Sequence, residues 1–259
     1  MNDEERQFER VLEELADLMN QLGDLSRSVT VIGGQVLAIE SRLRGKSGEV
    51  TLRTETGQSI PRGFTLEPDL LFDLDGTEFM AERLTEVLRD RGYRRTKNHR
   101  WSRELEEGRI DLDLFAPEGV DPLDLPTSMT PLRDSRLVLH RRQPFQLKVG
   151  GTVLSLALPS IAGFIAMKLR AKLELRPEVT KDSFDLVAYV SMIGAVEVVK
   201  ALSADREGRR LQAQLVDLFR SKDAPGVVDV LAYAGALEPM EQELLAAAVV
   251  ELFSEFLIA

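Results

Sequence analysis

The chain has 259 residues, of which 44% are hydrophobic and 29% charged, with a formal net charge of −10; that is enough to bury one large core or two small ones. It has no cysteine and two histidines, His99 and His140, which excludes disulfides, thiolate-held zinc or iron–sulfur clusters and a histidine-rich metal site. The acidity argues against sequence-independent coating of nucleic acid.

Residues 3–22 place Phe8, Val11, Leu12, Leu15, Leu18, Met19 and Leu22 at helical spacing, which predicts an amphipathic helix closed by Gly23. Its charged start carries no secretory signal, so a cytoplasmic protein is expected. Val29–Ile32 is a short β-branched run, and a helix is expected from Gln35 to Leu43 after the glycine pair Gly33–Gly34. Residues 44–67 are rich in glycine, proline and charge and read as a long loop, with room for a hairpin at Glu49–Glu55. A strand is expected at Leu70–Leu74, then a helix over Thr77–Arg91 with Thr77 as N-cap and Gly92 after its end. Strands follow at Tyr93–Thr96, Arg100–Leu105 and Ile110–Phe115, and again at Leu137–Leu139, Phe145–Val149 and Thr152–Leu156. The apolar run from Val149 to Met167 is broken by glycines, serines and Pro159, so a strand and a capped helix fit it better than a membrane span. Beyond Pro159 the pattern is helical: Ile161–Leu173, Ser183–Met192, Val196–Leu202, Gly208–Phe219, Val227–Tyr233 and Met240–Leu257. The expected class is α/β (α+β), a mixed sheet followed by an all-helical part. The expected division is an N-terminal helix at 1–28, an α/β domain at 29–157 and a helical domain at 158–259.

Three groups of residues could carry chemistry. A strand ending at Gly33–Gly34 and opening a helix lets an anion approach free N–H groups, although such a pair is as often a plain turn. On a strand, alternate residues share a face, so Asp69, Leu71, Asp73 and Asp75 project together, as do Asp111 and Asp113. Two such faces brought together could hold a hard cation, or each could be the acidic solvent face of an edge strand. Lys168, Arg176, Lys181, Asp182 and Asp185 form the third group, either a phosphate-facing cluster or a salt-bridge network. Basic residues also gather at 94–103 and 133–148, read as solvated faces or as a lip around a phosphate-bearing substrate.

Taken together these residues resemble the AbiEii-type nucleotidyltransferases of abortive-infection and toxin–antitoxin systems. The resemblance rests on Val31-Ile32-Gly33-Gly34, a strand with Asp69, a helix ending Leu88-x-x-x-Gly92-Tyr93, and Ile110-Asp-Leu-Asp113-Leu-Phe-Ala-Pro117. It continues through the proline-led helix from Leu156 to Ala171 with Lys168, then Arg176, Lys181-Asp182 and Asp185-Leu186. It covers about residues 29–192 and implies a polymerase-β-like minimal nucleotidyltransferase fold. The implied activity is Mg²⁺- or Mn²⁺-dependent transfer of a nucleotide from an NTP to a hydroxyl of RNA or protein, in a toxin-like effector with a possible cognate antitoxin. It implies Asp69, Asp113 and Lys168 as catalytic and Gly33, Gly34, Lys168, Lys181, Asp182 and Asp185 as nucleotide-binding. The metal ligands would be Asp69 and Asp113, helped by Asp73 or Asp111. The chain departs from the family where Leu71 stands in place of the second metal carboxylate and Gln35 in place of a small residue. A second reading is therefore a catalytically inactive protein of this fold that acts as a binding or regulatory partner.

Overall fold

The computed structural model describes residues 2–53, 56–74, 81–105, 108–120 and 129–258. The chain divides into two compact units, one of Met1–Gly48 with Phe64–Gly163 and one of Glu49–Gly63 with Phe164–Ala259. The fold class is mixed α/β: a mixed sheet in the first unit, helices and one hairpin in the second.

The first unit opens with α1 (Asp3–Leu22), capped by the Asn2 side chain, which accepts from the Glu5 N–H at 2.7 Å. All seven apolar residues expected on its inner face are buried, and the helix lies along the strands at Gln143–Val149 and Thr152–Leu158. At about 1.5–3 kcal/mol for each large apolar side chain removed from water, that face is one of the unit's main sources of stability. Gly23, at φ 58, ends the helix as expected, and one 3₁₀ segment (Gly23–Ser28) leads into β1 (Val29–Ile32). Helix α2 (Gln35–Leu43) has the expected bounds. The remaining elements of this unit are β4 (Asp69–Phe72), α3 (Ala81–Asp90), β5 (Arg94–Arg95), β6 (Arg100–Leu105), β7 (Gly108–Pro117), β8 (Thr130–Leu132), α4 (Ser135–Leu139), β9 (Gln143–Val149) and β10 (Thr152–Leu158). The expected N-cap Thr77 and Asp75, the last acidic residue on the Asp69 face, lie outside the described residues.

The sheet runs β5-β6-β7-β4-β1-β10-β9. Strand β1 is antiparallel to β4 and parallel to β10, and β4 is parallel to β7. Strand β8 pairs with Phe115–Pro117 of β7, beyond the last residue of β7 that pairs with β6. Two expectations change here. Leu137–Leu139 is not a strand but part of α4, and Thr130–Leu132 is a strand that the reading passed over. The reason is packing: Val138 is buried under Gly163, whose position has no room for a side chain, since a Cβ there would lie 2.8 Å from the Val138 Cα. Three apolar residues in a row cannot distinguish a short strand from a short helix.

The second unit contains the hairpin β2 (Thr51–Arg53) and β3 (Ser59–Pro61), most of α5 (Ile161–Arg170), α6 (Thr180–Ile193), α7 (Ala195–Leu202), α8 (Arg206–Phe219), α9 (Pro225–Ala234) and α10 (Pro239–Ile258). The hairpin is wider than the one expected at Glu49–Glu55. Every expected C-terminal helix forms. The first is shorter, because Ala171–Leu175 is a π-helical turn in which the Arg176 N–H donates to the Ala171 carbonyl. Stacked rings mark the core: Phe164 on Tyr189 at 4.1 Å and Phe219 on Phe253 at 4.2 Å. Among the described residues no helix is long and apolar enough to cross a membrane.

Candidate functional site

The residues singled out by sequence fall into two groups. Gly33, Gly34, Asp69, Asp73, Asp111 and Asp113 belong to the first unit; Lys168, Lys181, Asp182 and Asp185 belong to the second.

In the first unit the turn after β1 has the expected shape. Gly33 sits at φ 68, a conformation that costs a residue with a Cβ, and Gly34 precedes α2, which no side chain caps among the described residues. Asp69 lies beside this turn: a Cβ on Gly33 would fall 1.9 Å from the Asp69 Oδ2. Gln35 is buried and donates through its Nε2 to the Thr65 carbonyl at 3.2 Å, while its Oε1 has no hydrogen-bond partner among the described residues.

Parallel pairing of β4 with β7 sets Asp69 directly beside Asp113. Antiparallel pairing of β6 with β7 sets Arg100 opposite Asp113, Ser102 opposite Asp111 and Glu104 opposite Arg109. One face of the sheet therefore carries a row running Asp69, Asp113, Arg100 across three strands. Arg100 grips both oxygens of Asp113, through Nε and Nη2 at 2.7 Å each, and Nη2 also donates to Glu67 at 2.8 Å. Its hydrogen bond to Asp113 is the main reason the guanidinium stays protonated more firmly than usual. Arg109 holds Asp111 at 2.7 Å. Burial alone would raise the Asp111 carboxyl, but Ser102, Arg109 and Arg100 outweigh it and hold it below its ordinary value. Asp73 pairs with Arg142 at 3.0 Å.

The position that the resemblance assigns to a second carboxylate is apolar. Leu71 is wholly buried and paired with Thr30 on one side and Phe115 on the other. His99 stacks on Phe115 with ring centroids 5.7 Å apart, and its Nε2 is 3.8 Å from the Asp113 Oδ2.

These residues do not fit a Mg²⁺ or Mn²⁺ site as they are arranged. A magnesium ion needs oxygens free to approach to about 2.1 Å, whereas Asp73, Asp111 and Asp113 each hold a guanidinium, Asp113 with both oxygens. Among the described residues no group of three acidic or histidine side chains is arranged to hold a metal ion.

In the second unit Lys168, Asp182 and Asp185 come together at the centre of a buried network. The Lys168 Nζ donates to Asp182 at 3.0 Å and to Asp185 at 2.5 Å. Arg62, which follows the hairpin, binds both Asp185 oxygens at 2.7 and 3.1 Å, and Arg176 binds both oxygens of Asp182. Asp185 is 0% exposed, Asp182 1% and Arg62 6%. Burial would raise the Asp185 carboxyl, but Lys168 and Arg62 hold it below its ordinary value. Lys181 joins the edge of the network, and burial together with Arg62 and Lys168 lowers its ammonium. Four cations thus surround two carboxylates. Sequence reasoning missed Arg62, because it sits 123 residues from Asp185 in a stretch read as loop. It also missed the pairing of Arg100 with Asp113. The charges in Arg100-Trp-Ser-Arg-Glu104 against Arg109-Ile-Asp-Leu-Asp113 were the available signal.

No family model and no curated protein matches the chain. Among solved structures, the chain is similar to a solution structure of the antibiotic-resistance factor ANT(2'')-Ia, at 13% identity and a TM-score of 0.38, over 80% of this chain and 88% of that one.

Proposed function

We propose that this chain is a nucleotidyltransferase-like protein that acts as a binding or regulatory partner rather than by transferring a nucleotide. The observation that carries the reading is the state of the carboxylates. Asp113, the implied third metal ligand, has both oxygens on Arg100, and the implied second ligand is the wholly buried Leu71. Metal-dependent phosphoryl chemistry clamps the attacking and leaving oxygens between ions held by shared carboxylates. A site left with Asp69 and a neutralised Asp113 lacks that clamp.

One observation favours the transferase reading instead, that of a toxin-like effector passing a nucleotide from an NTP to RNA or protein. Asp69 and Asp113 stand side by side, and Asp69 abuts the Gly33 turn, the arrangement a nucleotide phosphate and its metal would require.

The deciding experiment offers α-³²P-labelled ATP, GTP, CTP and UTP with Mg²⁺ or Mn²⁺ to total RNA and to protein. We expect no label on either acceptor. Label that appears with the wild type and vanishes with Asp113→Ala would overturn the binding reading and establish the transferase.

A further inference from the structure

We infer that the Arg100 guanidinium is the resident counter-ion of the Asp69–Asp113 row, standing in for a divalent cation and keeping Mg²⁺ and Mn²⁺ off these carboxylates. This rests on the binding reading above and specifies how the site came to do without metal.

The argument starts from strand register. Side chains directly opposite on paired strands lie about 5 Å apart, so pairing Asp69 with Asp113 sets two carboxylates next to each other on one sheet face. Like charges so placed repel, and a folded chain must neutralise one of them, protonate it or bind a cation. Arg100 supplies the neutralisation. It is positioned by a six-residue antiparallel register, not by chance contact of a long surface side chain. Its planar fork matches the Asp113 carboxylate in the bidentate geometry that a lysine or a solvated surface pair does not reproduce. Its third bond, to Glu67, brings another nearby carboxylate under the same cation. The side chain is only 19% exposed, so the pair is partly shielded from solvent.

Arg100 serves the carboxylates of Asp113 and Glu67, while Arg109 is committed to Asp111 and to the Ser102 hydroxyl. Removing Arg100 would leave Asp113 and Glu67 without their shared cation, next to Asp69. Hard cations take carboxylate oxygens, with affinity set by the number of negative ligands, so the consequence is specific: taking away a protein cation should create a metal site. An ordinary structural ion pair makes no such prediction.

The test is a Mn²⁺ titration of the full chain followed by electron paramagnetic resonance and calorimetry, with wild type, Arg100→Gln, Arg100→Lys, Arg109→Gln and the double variant Arg100→Gln/Asp113→Asn. The expected result is that Arg100→Gln binds Mn²⁺ at least about tenfold more tightly than wild type, that the double variant loses the gain, and that Arg109→Gln does not show it. Arg100→Lys keeps the charge without the fork and should fall between wild type and Arg100→Gln, so it decides the matter should the glutamine variant not fold. The inference is overturned if wild type already binds Mn²⁺ through Asp113 as tightly as the variant, or if neither folded Arg100 variant gains affinity. Both outcomes are separate from the labelling assay: an inert wild type with no Arg100 effect leaves the binding reading intact, and a labelling wild type removes that reading.

Discussion

The buried network of the second unit makes a quantitative prediction. Asp185 is 0% exposed and accepts hydrogen bonds from two cations, Arg62 and Lys168, which are themselves nearly buried. Replacing it with alanine takes one of two carboxylates from a low-dielectric interior that four cations already surround, leaving Lys168 with Asp182 alone. Removing one member of a buried pair costs about 3–5 kcal/mol, because the remaining charge keeps its desolvation penalty and loses its partner. For a chain of this size that is a fall in melting temperature of roughly 6–20 °C. The control is the double variant Arg62→Met/Asp185→Leu, which deletes opposite charges together and leaves Lys168 on Asp182. It should recover at least about 1 kcal/mol relative to Asp185→Ala, since apolar residues of similar volume replace a buried pair at little or no loss. Urea denaturation followed by far-UV circular dichroism measures both. A loss below about 1 kcal/mol for Asp185→Ala, or a double variant less stable than the single one, would refute the electrostatic account.

Other perturbations test other parts of the structure. Gly33→Ala should lower stability by about 1–3 kcal/mol, since the residue sits at φ 68 and a Cβ would collide with the Asp69 carboxylate; a thermal melt reads it. Gly208→Ala would gain up to about 1 kcal/mol in an unobstructed helix, but a Cβ there falls 2.0 Å from the Leu202 carbonyl oxygen, so the sign should reverse. Acid should destabilise the protein. The carboxyls of Glu14, Asp111 and Asp185 are all held below their ordinary values. Their contribution is full above the unfolded-state pKa of about 4 and is lost as pH falls through the folded values. Urea midpoints measured from pH 6 down to pH 3 should therefore fall, and a flat profile would refute the assignment. Exchanging EDTA for Mg²⁺ should leave the wild-type melting temperature unchanged, because ligand binding to the native state would raise it.

Much of the fold was legible because its signals are local. The face of α1 is written in seven apolar residues at helical spacing, and the Gly33 turn in a β-branched run that stops at two glycines. The C-terminal helices were legible for the same reason, whereas the cap of α8 went unread: Asp205, whose side chain accepts from the Gly208 N–H at 2.8 Å, starts the helix two residues before the expected Gly208. What was not legible depends on register and on distant contacts. Arg100 was visible only as one of a basic run, because nothing local says that it faces Asp113. That follows from the register in which β6 pairs with β7, and a slip of one residue would have put it on the other face. Arg62 lay in a stretch with too many glycines and prolines to assign, yet it supplies one of the two cations on Asp185. The break at Ala171 was hidden for a related reason. The sequence there continues the helical pattern, while the wider turn lets Lys172 reach Asp229 at 2.6 Å and also the Pro177 carbonyl.

The clamp on Asp113 also bears on how the first unit folds. Where a carboxylate pair must be neutralised by a bound metal ion, part of the folding free energy comes from that ion, and the apo chain is correspondingly less stable. Here the counter-charge is covalently part of the chain and arrives through the pairing of β6 with β7, so the Asp69–Asp113 row can form whatever the metal concentration. The exchange has a chemical consequence as well. A guanidinium bound to a carboxylate stabilises negative charge through fixed N–H directions, but it has no exchangeable coordination position to offer a phosphate oxygen. Leu71, on the same face of β4, is consistent with this arrangement: in that wholly buried place a carboxylate would carry a desolvation cost, and an apolar side chain is the more stable choice.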